Sequence, residues 1–196
     1  MSAKVILQRG FKANAEKIAG DYRNILGKNP WDPLCAFELA KHLEIFIYSA
    51  TEFIKDAKSI QSLSTPGKDG SGWSALTMTT EKNNRIIIHN TFHTSARQQS
   101  NIMHELSHII CGHKVEDNRL LNLPIGMRNY NALHEEEANC LGSTIQLPRS
   151  ALTWAKNKNM NDDSIASYFN ASIEMVKYRL RMSGILKQYS HFKKNF

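Results

Sequence analysis

Little in this sequence points toward a membrane or an oxidising compartment. Its 196 residues include three cysteines and five prolines. Nowhere is there an uninterrupted apolar run long enough to span a bilayer. The cysteines, Cys35, Cys111 and Cys140, are an odd number, widely spaced and without a CxxC pair. That excludes a disulfide framework and a thiolate zinc ribbon, and fits small buried thiols in a reducing compartment. The opening stretch, MSAKVILQRGFKANAEK, lacks the apolar core of a signal peptide. The expectation is a cytoplasmic protein with no membrane partner. Internal repeats and low-complexity tracts are also lacking.

What is there is ordinary globular material: 41% hydrophobic and 22% charged residues. A chain of this length can bury one substantial core, or one core with a small appendage. The net charge of +7 raises the question of an acidic partner such as nucleic acid. However, the Lys and Arg residues are scattered, and the nearest basic run, residues 187–194, reads as a solvated tail.

Hydrophobic spacing predicts a helix over residues 11–26, stopped at Gly27. Asp32 followed by Pro33 has the chemistry of an N-cap and first helical residue, so a second helix is expected over 33–43. Residues 45–48 read as a short strand and 62–72 as a loop. Residues 73–79 and 85–89, joined by Glu81-Lys82-Asn83-Asn84, read as a β-hairpin. Thr94 or Ser95 can cap a long helix that runs to about Cys111 and ends at Gly112. After an Asn-rich connection, another helix is expected over 133–145, broken at Leu147-Pro148.

The long helix carries His104-Glu105-Leu106-Ser107-His108. Histidines four apart on a helix project from the same face, one turn above the other, so both imidazoles can reach one ion at about 2.0–2.1 Å. Glu105, beside the first histidine, is placed to take a proton from a water activated there. Ile102, Met103, Leu106, Ile109 and Ile110 give the helix a buried side. The blander alternative is a chance match, with two histidines that are simply core or surface groups. A catalytic zinc needs a third protein ligand and one open position. His113 lies five residues after His108 and so misses the metzincin spacing HExxHxxGxxH, where Lys114 stands instead. The other source is the run Glu135-Glu136-Glu137, which could equally be a solvated face at a helix N-terminus. Zinc is the default for such donors, although manganese or iron also accept two imidazoles and a carboxylate.

Three segments in order resemble the ImmA/IrrE-like metallopeptidases: ARQQSNIMHELSHIICGH (96–113), EEEAN (135–139) and IQLP (145–148). The resemblance covers roughly residues 10–150. It implies an α+β fold, a zincin-like core of helices on a small antiparallel sheet, occupying residues 1–150. It also implies His104, His108 and Glu135 as Zn2+ ligands, with Glu105 as the general base and Asn139 orienting a ligand from behind. Glu137 is the alternative third ligand, since half a helical turn separates the two and only one can face the metal. Members often have Gly before the second histidine, where this chain has Ser107, and Phe-Ala after EAN, where it reads Cys140-Leu141-Gly142. The implied function is zinc-dependent endopeptidase activity on a regulatory protein such as a DNA-binding repressor. An oxyanion donor is also expected, with His93, His113, His134 and Tyr130 as candidates.

Residues 151–196 form a separate helical segment in this reading. Asp162 or Asp163 and Ser172 can cap two short helices, and Gly184 can end the second. Ile165, Phe169, Val176 and Leu180 are spaced to pack the pair. The spacing resembles a helix-turn-helix that would offer Lys177, Arg179 and Arg181 to DNA. An ordinary helical hairpin closing the core is the preferred expectation. The competing function is therefore a DNA-binding regulator with a structural or sensory metal site. A general base at Glu105 favours the enzyme, because a structural site closes all four positions with protein ligands.

Overall fold

The computed structural model describes residues 7–64, 73–80, 84–113 and 131–186. Helix α1 (Phe11–Ile25) is followed by α2 (Ala36–His42), strand β1 (Phe46–Ser49), and two short helices, α3 (Ala50–Phe53) and α4 (Ala57–Ser64). Strands β2 (Ala75–Thr79) and β3 (Arg85–His89) lead into α5 (Ser95–Ile110). Then come α6 (Ala132–Gln146), α7 (Arg149–Asn157), α8 (Asp162–Phe169) and α9 (Ile173–Met182). The class is α+β. Residues 65–72 of the loop expected at 62–72, most of the hairpin turn, the Asn-rich connection with Tyr130, and the basic tail lie outside the described residues.

The sheet order is β1-β3-β2. β2 and β3 form the expected antiparallel hairpin, with Thr77 opposite Ile87. β1, however, pairs parallel to β3, Ile47 beside Ile87, so the sheet is mixed rather than wholly antiparallel. Parallel pairing requires a crossover, and α3 and α4 lie in it; neither has a counterpart among the sequence expectations, and the last turn of α4 takes up the start of the expected loop at 62–72. Buried Asn90 holds the crossover in place: its side-chain amide donates to the carbonyls of Leu63 and Trp73, each at 3.0 Å.

The second helix starts later than Asp32-Pro33 suggests. Asp32 instead accepts from the Asn29 amide in a turn, and α2 begins at Ala36 after Cys35. Its first free N–H is satisfied from a distance, by the Gln99 side-chain oxygen of α5 at 2.6 Å. A tertiary partner thus replaces the local cap, which a local sequence pattern does not reveal.

One apolar core joins α1, α2, the sheet, α5 and α6, built on Ala15, Ala19, Leu39, Ile87, Ile102, Met103, Leu106, Leu141 and Ile145. α5 and α6 approach closely because residue 142 is glycine. A Cβ there would lie 3.1 Å from the Met103 carbonyl oxygen and from Ser107 Oγ, and 3.3 Å from His104 Cα. A second core, of Leu152, Ala155, Ile165, Phe169, Val176, Leu180 and Ile185, unites α7, α8 and α9. Helix α7 has no counterpart in the sequence reading. Asn161, rather than either aspartate, caps α8 by accepting from the Ser164 amide, while Ser172 caps α9 as expected.

Arg179 does not present its charge to solvent. Only 4% exposed, it donates to the Leu147 carbonyl and to Glu16 of α1. Of the three basic residues proposed for a DNA-facing helix, one is therefore committed to the fold. No helix among the described residues is long and apolar enough to cross a membrane.

Candidate metal centre

Thr94 starts α5 by accepting from the Arg97 amide, and Asn131 starts α6 by accepting from the amides of Leu133 and His134. The helices run antiparallel, as the contacts of Ser100 with Gln146 and of Gly142 with Met103 and Ser107 require. The first turn of α6 thereby lies against the last two turns of α5. His104, His108 and Glu135 meet there.

His104 Nε2 and His108 Nε2 are 3.1 Å apart. The Glu135 carboxylate reaches both, one oxygen 3.2 Å from His104 Nε2 and the other 3.4 Å from His108 Nε2. Three donors around a tetrahedral zinc at about 2.0–2.1 Å would stand about 3.3 Å from one another. The observed separations fit that requirement without rearrangement, and the donor set is the nitrogen and oxygen chemistry zinc accepts. The imidazoles of His104 and His108 beside it hold the Glu135 carboxyl well below the usual carboxylate range. The same stabilisation would be supplied by a cation.

Glu137, the other candidate for third ligand, does not join this group. It faces His113, whose Nε2 lies 2.9 Å from Glu137 Oε2. His113 Nδ1 in turn lies 2.9 Å from His108 Nδ1. Gly112 creates this arrangement. Its φ of 71° lies in the left-handed region that glycine adopts freely. The chain folds back there, so that the His113 amide bonds the His108 carbonyl at 3.0 Å. Asn139, expected behind the ligands, is exposed instead, and the side chain behind His108 is His113. Gly112 followed by histidine was the sequence signal for this, but it was read only as a helix stop.

Glu105 is 5% exposed and points toward the sheet, where Thr77 Oγ1 of β2 donates to its Oε2 at 2.6 Å. Thr77 is a site residue that sequence reasoning missed, because nothing local marks which strand residue will face the helix. Of the oxyanion candidates, His113 has both ring nitrogens engaged. His134 stacks flat against it, with ring centroids 4.1 Å apart. His93 Nδ1 meets the Asn101 side chain at 3.2 Å. Burial pushes the His113 and His93 imidazoles below their ordinary pKa, which favours the neutral ring.

No curated protein matches the chain. A family model does, over residues 56–181, which is nearly two thirds of the sequence and includes α5 and α6 whole. That model describes the IrrE N-terminal-like domain, so the chain belongs to peptidase family M78, a family of metallopeptidases.

Proposed function

We propose that this protein is a zinc-dependent endopeptidase that cleaves a regulatory protein, such as a DNA-binding repressor. The observation that carries the reading is the convergence of His104, His108 and Glu135 at the separations a tetrahedral metal needs. These three would hold the ion. Bound zinc supplies a Lewis acid that activates water near neutral pH and polarises the scissile carbonyl.

The remaining work belongs to the chain. Glu105 accepts the proton of the attacking water and delivers it to the amine leaving group, so the peptide C–N bond breaks as the new C–O bond forms. Its carboxylate is anchored by Thr77, which fixes its orientation between α5 and β2. β2 has β3 on one side only among the described residues. Its other edge is a place where an extended polypeptide can pair, consistent with a protein substrate.

The engagement of Arg179 by Leu147 and Glu16 favours the enzyme over a DNA-binding helix. The test is Glu105→Gln in the zinc-loaded protein, assayed against a panel of DNA-binding repressors that the parent cleaves. Zinc content should match the parent while cleavage collapses. Full turnover by that variant would remove Glu105 from the reaction.

A further inference from the structure

We propose that His113 and Glu137 act as positioning residues that fix His108 in the one tautomer able to bind metal through Nε2. The proposal rests on His108 being a ligand, as argued above. An imidazole that offers its Nε2 lone pair must carry its proton on Nδ1. His108 Nδ1 faces His113 Nδ1 at 2.9 Å, so His113 must accept there and carry its own proton on Nε2. That Nε2 faces a carboxylate oxygen of Glu137, also at 2.9 Å, and an ionised carboxylate can only accept.

The chain of bonds thus has a single direction, set at its outer end by Glu137 and read at its inner end by His108. Reversal would put a proton on His108 Nε2, pointing it at His104 and Glu135 and abolishing ligation. Metal-bound histidines usually have an oxygen behind them. Here a second imidazole is interposed, which lets a carboxylate two residues beyond Glu135 act on the opposite side of His108. Burial keeps water from replacing the link: His108 is 7% exposed and His113 is 8% exposed. His134, stacked on His113, holds the ring plane.

The test uses the full chain. Zinc affinity is measured by competition with a chromogenic chelator for the parent, His108→Ala, His113→Phe and His113→Gln. Histidine tautomers are read by nitrogen-15 NMR on the zinc-loaded parent. His113→Phe should weaken zinc binding roughly 10- to 100-fold. His113→Gln should restore most of that loss, because its carbonyl can accept from His108 while its amide donates to Glu137. The NMR spectrum should show His108 protonated on Nδ1 and His113 on Nε2.

Unchanged affinity in His113→Phe overturns the relay, as does a proton on His113 Nδ1 in the parent. The NMR result stands even if a variant fails to fold. If the parent binds no zinc, or binds it as well after His108→Ala, the metal reading falls and takes the relay with it. If only the His113 results fail, the metal reading survives alone.

Discussion

Two regions of this molecule bury charged or ionisable side chains, and they do so in opposite ways. Beside the C-terminal end of α6, Arg23 and Arg179 are almost wholly enclosed, yet their guanidinium groups donate to backbone carbonyls and to an acid. Arg23 donates to the carbonyls of Ala19, Asp32 and Ile145, and Arg179 to Leu147 and Glu16. Burial lowers the Arg23 pKa to about 10, still far above neutrality, so the charge persists and its work is structural. Between α5 and α6, two imidazole nitrogens are aimed at each other and at a carboxylate. Converging lone pairs repel unless a proton or a cation stands between them. The first arrangement is complete within the chain, whereas the second is one that a cation would complete, and that difference separates a structural charge from a candidate binding site.

The contrast is broken most sharply by exchanging the consequences. Glu105→Gln should lower kcat roughly 100- to 10,000-fold, while the melting temperature of the zinc-loaded protein stays near that of the parent. Arg179→Met should do the reverse. It leaves the Leu147 carbonyl buried without its donor, which costs on the order of 2–3 kcal/mol of stability in chemical denaturation. Turnover per folded molecule should remain unchanged. If Arg179→Met instead abolished catalysis in a fully folded protein, the two regions would not be separable as described.

The site was legible to the extent that its signals were local. Spacing of His104 and His108 on one helix face, the cap at Thr94 and the stop at Gly112 are all properties of neighbouring residues, and each stands in the structure. The α+β class was implied by the resemblance, and the hairpin between helical segments stands in the structure beside it. What escaped was settled across the fold. The residues alone left Glu135 and Glu137 open, half a turn apart, and the resemblance named Glu135, the one that the packing of α6 on α5 turns to the imidazoles. Thr77 meets Glu105, and Gln99 caps α2, through tertiary contacts alone. Asn139 was assigned by resemblance, but here Gly112 turns His113 into the space behind His108. Helix α7 was missed because Leu147-Pro148 was taken as a break, whereas Pro148 is the N-cap from which the next helix starts.

A smaller effect tests the contact that brings the two halves of the site together. Gly142→Ala places a methyl 3.1 Å from a main-chain carbonyl and from Ser107 Oγ, closer than ordinary packing. The helices must part, at a cost of about 1–3 kcal/mol. Because α6 carries Glu135, zinc affinity should fall as well. Ser107→Gly in the same chain should recover part of both losses by removing the side chain that the new methyl meets. A double-mutant cycle with no coupling between positions 107 and 142 would show that the two side chains do not share that space.

The smallest predicted effect separates holding a base from holding a metal. Thr77→Val keeps the shape of the β2 side chain and removes only the hydroxyl that donates to Glu105 at 2.6 Å. Thr77 is 2% exposed, so water cannot readily supply a replacement donor. A hydrogen bond to a charged group is worth about 1.5–3 kcal/mol. Some of that will be recovered as Glu105 reorients, so kcat should fall about tenfold, the equivalent of about 1.4 kcal/mol in the barrier. KM and zinc affinity should stay at parental values, because the Thr77 hydroxyl bonds Glu105 and not one of the three candidate ligands. A loss of zinc affinity in Thr77→Val would mean that the sheet supports the ligands and not the base. Unchanged kcat would mean that the orientation of Glu105 is set by α5 alone.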